Sequence, residues 1–153
     1  DSIHFDKSQK YYTKVQKRIV YGGGGIMPDV FVPLDTMQYT RLHRQLIAKN
    51  VVMDAYLKYA DQNRKQLKSQ YKSFEVFDKN YTIPQSLIDQ IFAEGKKQKL
   101  EAKDEKELQN TQKYMKLQLK ALIARDLWDM SEYFCVWNEQ SNVVKKALEV
   151  IGR

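Results

Sequence analysis

The spacing of apolar residues divides the chain into two parts with different periods. Residues 10–32 read as extended, because "KYYTKVQKRIVY" and "DVFVP" are rich in Tyr, Val and Ile and are bounded by turn-forming residues. After Pro33 the apolar residues recur every three or four positions, which indicates helices. The pattern therefore predicts a mainly α fold: a multi-helix domain over residues 35–153, preceded by a short strand and turn segment over residues 1–34.

Two helices are predicted directly after Pro33. "PLDTMQYTRLHRQLIAKN" offers Asp35 or Thr36 as the N-cap of the first helix and Asn50 as its C-cap. "VVMDAYLKYADQNRKQLKSQY" follows as the second helix. Its apolar stripe is formed by Val52, Tyr56, Tyr59 or Ala60, and Leu67.

A connector and four further helices complete the predicted domain. "KSFEVFDKNYTIP" breaks the helical period with aromatic residues and an Ile-Pro step, so we expect an extended connector. Pro84 suits the first turn of a third helix, which Gly95 would end or kink. The fourth and longest helix is expected from near Asp104 to about Trp128. Two shorter helices close the chain, the last with Ser141 as its N-cap.

The overall composition adds limits on function and partners. Contents of 42% hydrophobic and 29% charged residues are ordinary for a globular protein, and no apolar run approaches the roughly 18 residues of a membrane span. The first residues lack the pattern of a signal peptide and there is no initiator Met, so we expect a processed or excised piece. The net charge of +7 would favour anionic partners if it lay on one face. In "KKQKLEAKDEKE", however, lysines alternate with acidic residues, as on a solvated helix.

No catalytic motif is complete in this sequence. The glycine run of "RIVYGGGGIMPDVFVP" leads into a predicted strand, whereas a phosphate-binding P-loop or a dinucleotide fingerprint leads into a helix. Ser69 and Lys72 in "SQYK" match the Ser-x-x-Lys of serine acyl-enzymes, but the companion motifs are absent. We therefore predict no catalytic residue and no cofactor for this chain.

Metal sites are not predicted either. His4 and His43 are the only histidines and lack the spacing of metal ligands; His43 is expected at the surface or at the boundary of the core. Asp78 and Asn80 fit a calcium loop, but Ile83 occupies the position where that loop requires glycine.

The tyrosines and the single cysteine are interpreted as packing residues. Tyr56, Tyr59 and Tyr114 fall at helical spacing near apolar positions, and Cys135 in "SEYFCVW" is expected to be a small buried hydrophobe. The alternative interpretation is a basic helical module that binds nucleic acid or another acidic partner. It requires lysines clustered on one face, and recognition motifs such as RNP1 or a zinc finger are missing.

The segment "RIVYGGGGIMPDVFVPLDT" resembles the end of the protease core in carboxyl-terminal processing peptidases, also called tail-specific proteases. Shortly after the catalytic lysine, that family has approximately Gly-Arg-x-Ile/Val, then Gly-Gly-Ile-x-Pro-Asp and a short strand. The matching residues here are Arg18, Val20, Gly24, Gly25, Ile26, Pro28 and Asp29. Lys17 stands where the pattern usually has glycine. The four-glycine form, the preceding "DSIHF" and the helical stretch from "LIARDLW" to "VVKKALEVI" are similar to the Bacteroides-type members.

The resemblance implies that the chain is the non-catalytic C-terminal region of a serine endopeptidase of the cell envelope or periplasm. The Ser/Lys dyad of that family precedes the matched motif, so both catalytic residues are expected upstream of Asp1. Gly24, Gly25, Pro28 and Asp29 are carried over as structural residues only, and together with Gly22 and Gly23 they are predicted to form the turn. The implied partners are the parent protease core and its protein or peptide substrates. The apolar strands of residues 10–34 also allow a homodimer, in which a second copy of the chain pairs along the exposed strand edge. The residues themselves predict no nucleic-acid partner.

Overall fold

The computed structural model describes residues 10–15, 17–22, 30–33 and 39–152. Within these residues the fold is mainly helical, with one small sheet of two strands. The predicted fold class is thus confirmed. The chain divides into two compact units, Asp1–Pro33 and Leu34–Arg153. The sequence placed this boundary one residue later, and the origin of the first unit as the end of a protease core stays a prediction.

The first unit contains an antiparallel hairpin of β1 (Lys10–Tyr12) and β2 (Ile19–Tyr21). Thr13 closes it: its backbone N–H donates to the Arg18 carbonyl at 2.9 Å, and its Oγ1 accepts from the Arg18 N–H at 2.9 Å. The extended prediction for "KYYTKVQKRIVY" is therefore corrected, because a turn folds this stretch back on itself. Residues 30–33, which were predicted as part of the "DVFVP" strand, do not form a strand in the structure. An extended segment becomes a β-strand only where a second segment pairs with it.

The second unit consists of helices α1 to α7 in chain order. They span Arg41–Ala48 (α1), Val51–Gln70 (α2), Phe74–Asn80 (α3), Gln85–Lys97 (α4), Glu105–Leu127 (α5), Met130–Asn138 (α6) and Asn142–Ile151 (α7). Helix α5 lies at the centre, because it packs on α1, α2, α4 and, most extensively, α6. The largest fully buried apolar side chains are Leu42, Leu46, Phe77, Ile88, Ile91, Met115, Leu119, Ile123 and Val136.

Helix α1 begins later than the sequence predicted. Thr40 is its N-cap, with Oγ1 accepting from the His43 N–H at 3.1 Å. The predicted caps Asp35 and Thr36 lie outside the described residues. Asn50 follows the C-cap of α1 with a φ of 59° and connects directly to α2. The chain thus turns within two residues, which asparagine allows because it tolerates the left-handed conformation.

The predicted extended connector is wrong over Phe74–Asn80, which form α3. Ser73 caps this helix, with Oγ accepting from the Val76 N–H at 3.5 Å. Phe77 is fully buried, with ring centroids 4.7 Å from Tyr81 and 5.2 Å from Trp128. The aromatic residues that broke the sequence pattern are therefore the ones that pack this helix into the core. Tertiary packing overrides the local signal here.

Gly95 does not end α4, which continues to Lys97. The helix ends in a Schellman motif, in which the Leu100 N–H donates to the Gly95 carbonyl at 2.9 Å and Lys99 has a φ of 59°. A Cβ at Gly95 would lie 2.6 Å from Leu46 Cδ2. Glycine at this position therefore allows Leu46 to pack closely against α4. It does not end the helix.

A buried carboxylate, Glu107 on α5, holds the start of α1. Its Oε1 accepts from the Leu42 N–H at 3.0 Å, and its Oε2 accepts from the Lys103 N–H at 2.8 Å and from Arg41 Nη2 at 3.3 Å. The Lys103 N–H lowers the pKa of Glu107 most, with the Leu42 N–H and the Arg41 guanidinium adding to it against the cost of burial. Helix α5 thus has both apolar and ionic anchors.

Candidate interaction surface

The last helix, α7, begins and ends with clear capping signals. Ser141 is the N-cap, with Oγ accepting from the Val144 N–H at 3.3 Å, and the Gly152 N–H donates to the Leu148 carbonyl at 2.9 Å after the last turn. The Ser141 cap follows the sequence prediction. The apolar residues of α7 fall on one face at helical spacing, and we name this set the α7 face: Val143, Val144, Ala147, Leu148, Val150 and Ile151.

Most of the α7 face is exposed in the described chain, and Val144 is half-buried. No residue of α7 is buried, and the exposed fractions reach 65% at Leu148 and 81% at Ile151. Single exposed apolar side chains are ordinary, but several on one helix face make a patch of the kind that marks interaction sites. Burying each large apolar side chain is worth roughly 1.5–3 kcal/mol. Covering the α7 face would therefore release a substantial free energy of burial.

The opposite side of α7 is charged. Lys146 Nζ and Glu149 Oε2 form an ion pair at 2.8 Å, and Lys145 also belongs to this side. An exposed pair of this kind contributes roughly 0–1 kcal/mol. The charged residues thus lie on one side of α7 and the apolar residues on the other.

Helix α6, which precedes α7, also exposes apolar side chains. Met130 is 46% and Phe134 51% exposed, whereas Val136 is fully buried. Cys135 is exposed, which contradicts the sequence prediction of a buried cysteine. Its apolar neighbours suggested burial, but the helix turns Val136, one residue later, toward α5 instead.

The hairpin of the first unit is a second uncovered apolar element. All residues of β1 and β2 are exposed, among them Tyr11, Tyr12, Ile19, Val20 and Tyr21. A two-stranded ribbon without a covering layer is marginally stable. Among the predicted turn residues that follow it, only Gly22 belongs to the described residues. The others lie outside them: Gly23, Gly24, Gly25, Pro28 and Asp29.

The Ser-x-x-Lys match does not form a recognisable nucleophile site. Ser69 lies in the last turn of α2 and Lys72 follows the C-cap of that helix, and both are exposed. No hydrogen bond joins their side chains among the contacts of the described residues, although a nucleophile needs its base within about 3.2 Å. The absence of catalytic function in this chain stays a prediction.

His43 is fully buried, so its predicted position at the surface or boundary is wrong. Its Nε2 forms a hydrogen bond with Gln118 Oε1 at 2.9 Å, and its ring stacks on Tyr39 with centroids 6.4 Å apart. It lies beside Leu42 on the side of α1 that packs on α5. A hydrogen-bonded imidazole thus occupies a core position between α1 and α5 that an apolar side chain would usually fill.

The calcium-loop residues and the tyrosines take structural positions. Asp78 lies within α3, where its Oδ1 is 2.9 Å from Lys120 Nζ. Tyr56 is buried and donates its hydroxyl to the Leu122 carbonyl at 3.2 Å. Tyr114 is buried and Tyr59 half-buried, which confirms the predicted packing role.

Neither a metal-binding cluster nor a membrane-spanning helix occurs in the described part of the chain. No group of three or more His, Cys, Asp or Glu side chains there could hold a metal ion. None of its helices combines the length and the apolarity that crossing a membrane requires.

Comparison with known proteins identifies one family. The sequence model of a family of unknown function, DUF8443, matches residues 42–129, which is more than half of the 153 residues. The match begins at the second residue of α1, covers α2 to α5 and ends before α6 and α7. No curated protein and no solved structure matches the chain.

Proposed function

The chain belongs to the DUF8443 family of unknown function, and we propose that it is a non-catalytic interaction region at the C-terminal end of a carboxyl-terminal processing serine endopeptidase. In this proposal the helical unit packs on the protease core of the parent enzyme through the α7 face. It also serves contacts between subunits or with substrate. The parent acts in the cell envelope or periplasm.

One observation carries the interaction role: the exposed α7 face. A ten-residue helix is marginal in water on its own, because helix nucleation is unfavourable and short helices gain few hydrogen bonds. Stability in such a helix comes from burying its apolar face. Helix α7 has capping residues at both ends, but the described part of the chain buries none of its side chains.

The protease core is the favoured partner because of chain connectivity. The segment Arg18–Thr36 resembles the end of that core and leads directly into the helical unit. A surface on the same polypeptide is present at an effective concentration in the millimolar range, which favours it over a separate protein. The resemblance supports this partner, and so does the exposed hairpin, which has no third strand beside it among the described residues.

The proposed identity is tested by the coding sequence upstream of Asp1 and by active-site labelling. A serine motif and a lysine motif should precede Asp1. A fluorophosphonate probe should label the longer protein at one serine and should not label this chain. Stoichiometric labelling of Ser69 in this chain, abolished by Lys72→Ala, would show an independent hydrolase and overturn the proposal.

A further inference from the structure

We propose that a cavity beside α5 binds a small organic dianion, such as a phosphomonoester or a dicarboxylate with an apolar body. The cavity has a volume of about 430 Å³. It lies between α5, the segment of residues 81–85 and Gln140, which precedes α7. The inference rests on the cavity alone and is independent of the proposed protease origin.

Three lysines of α5 line the cavity. Lys113, Lys116 and Lys120 are spaced by three and four residues, which places them on one side of the helix. No carboxylate is among the lining residues. Like charges at this spacing repel each other, so the arrangement destabilises the helix unless an anion compensates it.

Two of the three ammonium groups are not neutralised within the described part of the chain. Lys120 Nζ lies 2.9 Å from Asp78 Oδ1 and donates to the Asp78 carbonyl at 2.6 Å. Lys116 donates to Gln85 Oε1 at 2.8 Å, and Lys113 lies over the Tyr114 ring at 5.2 Å from its centroid. Neither of these contacts carries a negative charge. Lys113 and Lys116 therefore offer two positive charges to a dianion, whereas Lys120 already faces the carboxylates of Asp78 and Glu139.

The position of Lys116 is supported by a fixed neighbour. Gln85 Oε1 accepts from Lys116 Nζ and also from Gln112 Nε2 at 3.0 Å, which holds the amide between α4 and α5. An ammonium group has three donors, so Lys116 keeps donors for a ligand. Lysine binds phosphate and carboxylate as a point charge, without demanding one ligand geometry.

The size and lining of the cavity indicate more than a bare inorganic ion. Ligand sites typically have roughly 300–1,000 Å³, and this cavity falls within that range. Ile83 and Leu117 contribute apolar surface to its lining, and Thr82 and Gln140 can hydrogen-bond a ligand. An anion attached to a ring or a short aliphatic body uses both kinds of surface.

The test is a titration of the ¹⁵N-labelled chain with phenyl phosphate, followed by amide chemical shifts at constant ionic strength and pH 7.5. We expect saturable shifts confined to residues 81–85, 113–120 and Gln140. Isophthalate should shift the same amides. Inorganic phosphate lacks the ring, and benzoate lacks the second charge, so each should bind at least several-fold more weakly.

A matched pair of double variants separates the cavity from general lysine binding. Lys113→Gln with Lys116→Gln should weaken phenyl phosphate binding at least tenfold. Lys65→Gln with Lys68→Gln removes two exposed lysines at the same spacing on α2 and should leave binding unchanged. Equal weakening in both variants, or shifts that never saturate, would overturn the proposal. A single-stranded oligonucleotide that binds when phenyl phosphate does not would replace it with the nucleic-acid interpretation.

Discussion

Helices α5 and α7 show that a clean amphipathic pattern and actual burial are different properties. Helix α5 buries polar Glu107 and Thr111 together with its apolar residues, because other helices pack on several of its sides. Helix α7 separates apolar from charged residues more cleanly and buries none of them. The pattern of a helix therefore says which face needs cover, whereas the neighbours decide whether cover is present.

The difference has consequences for stability and dynamics. Residues of α5 gain free energy from packing, so their amides should open only in global unfolding. Helix α7 has ten residues and no buried side chain, so we expect it to fray in the isolated chain. A helix that gains its stability from a partner is suited to interaction.

The largest difference in the free energy of unfolding is expected between two variants in which a leucine is replaced by alanine. Leu119 is fully buried on α5, and Leu148 is 65% exposed on α7. Leu119→Ala should lower the free energy of unfolding by about 2–5 kcal/mol, because it removes packing and leaves a cavity. Leu148→Ala should change it by less than about 0.5 kcal/mol. Urea unfolding of the isolated chain measures both, and equal losses would contradict the contrast between the helices.

A smaller difference in the free energy of unfolding is expected between variants of two glutamates. Glu107→Gln should lower the free energy of unfolding by about 1.5–3 kcal/mol, because buried Glu107 accepts hydrogen bonds from Leu42, Lys103 and Arg41. Glu149→Gln removes only an exposed ion pair with Lys146 and should cost less than about 0.5 kcal/mol. The same unfolding measurement at pH 7 compares the two variants. If Glu107→Gln lowers the free energy of unfolding no more than Glu149→Gln does, the buried carboxylate does not anchor α1.

The pH dependence of the Glu107 contribution sharpens this contrast. The pKa of Glu107 is lower in the folded chain than its ordinary value of about 4.3, so its stabilising effect is fully present above that value. It is lost as the pH falls through the lowered folded pKa. The stability gap between the wild type and Glu107→Gln should therefore narrow below about pH 4. Unfolding curves from pH 7 to pH 3 test this, and a gap that widens in acid would reverse the sign of the effect.

The sequence predicted the helical fold where local signals and packing agree. Asp104 was expected near the start of the longest helix, and it caps α5 with Oδ1 accepting from the Glu107 N–H at 2.7 Å. Ser141 was expected to cap the last helix and does so. The sequence failed at Phe77 and His43, because their burial depends on aromatic and polar partners that are distant in the chain.

The candidate surfaces were only partly predictable. The helical spacing of Leu148 and Ile151 was visible, but their exposure was not, since it depends on which elements pack beside α7. The row of lysines on α5 could have been recognised in the sequence from the spacing of Lys113, Lys116 and Lys120. It was missed because charges alternate in "KKQKLEAKDEKE", and that local alternation was extended to the whole chain.

The central claim is that the α7 face is covered by the protease core in the parent protein. Amide hydrogen exchange of residues 142–151 tests it most directly, measured at low micromolar concentration in this chain and in the longer protein that includes the sequence upstream of Asp1. We predict fast exchange in this chain and at least tenfold slower exchange in the longer protein. Leu148→Lys in the longer protein should remove that protection, and Glu149→Gln, which raises the net charge by the same amount, should keep it. Equally fast exchange of α7 in both proteins would contradict the claim.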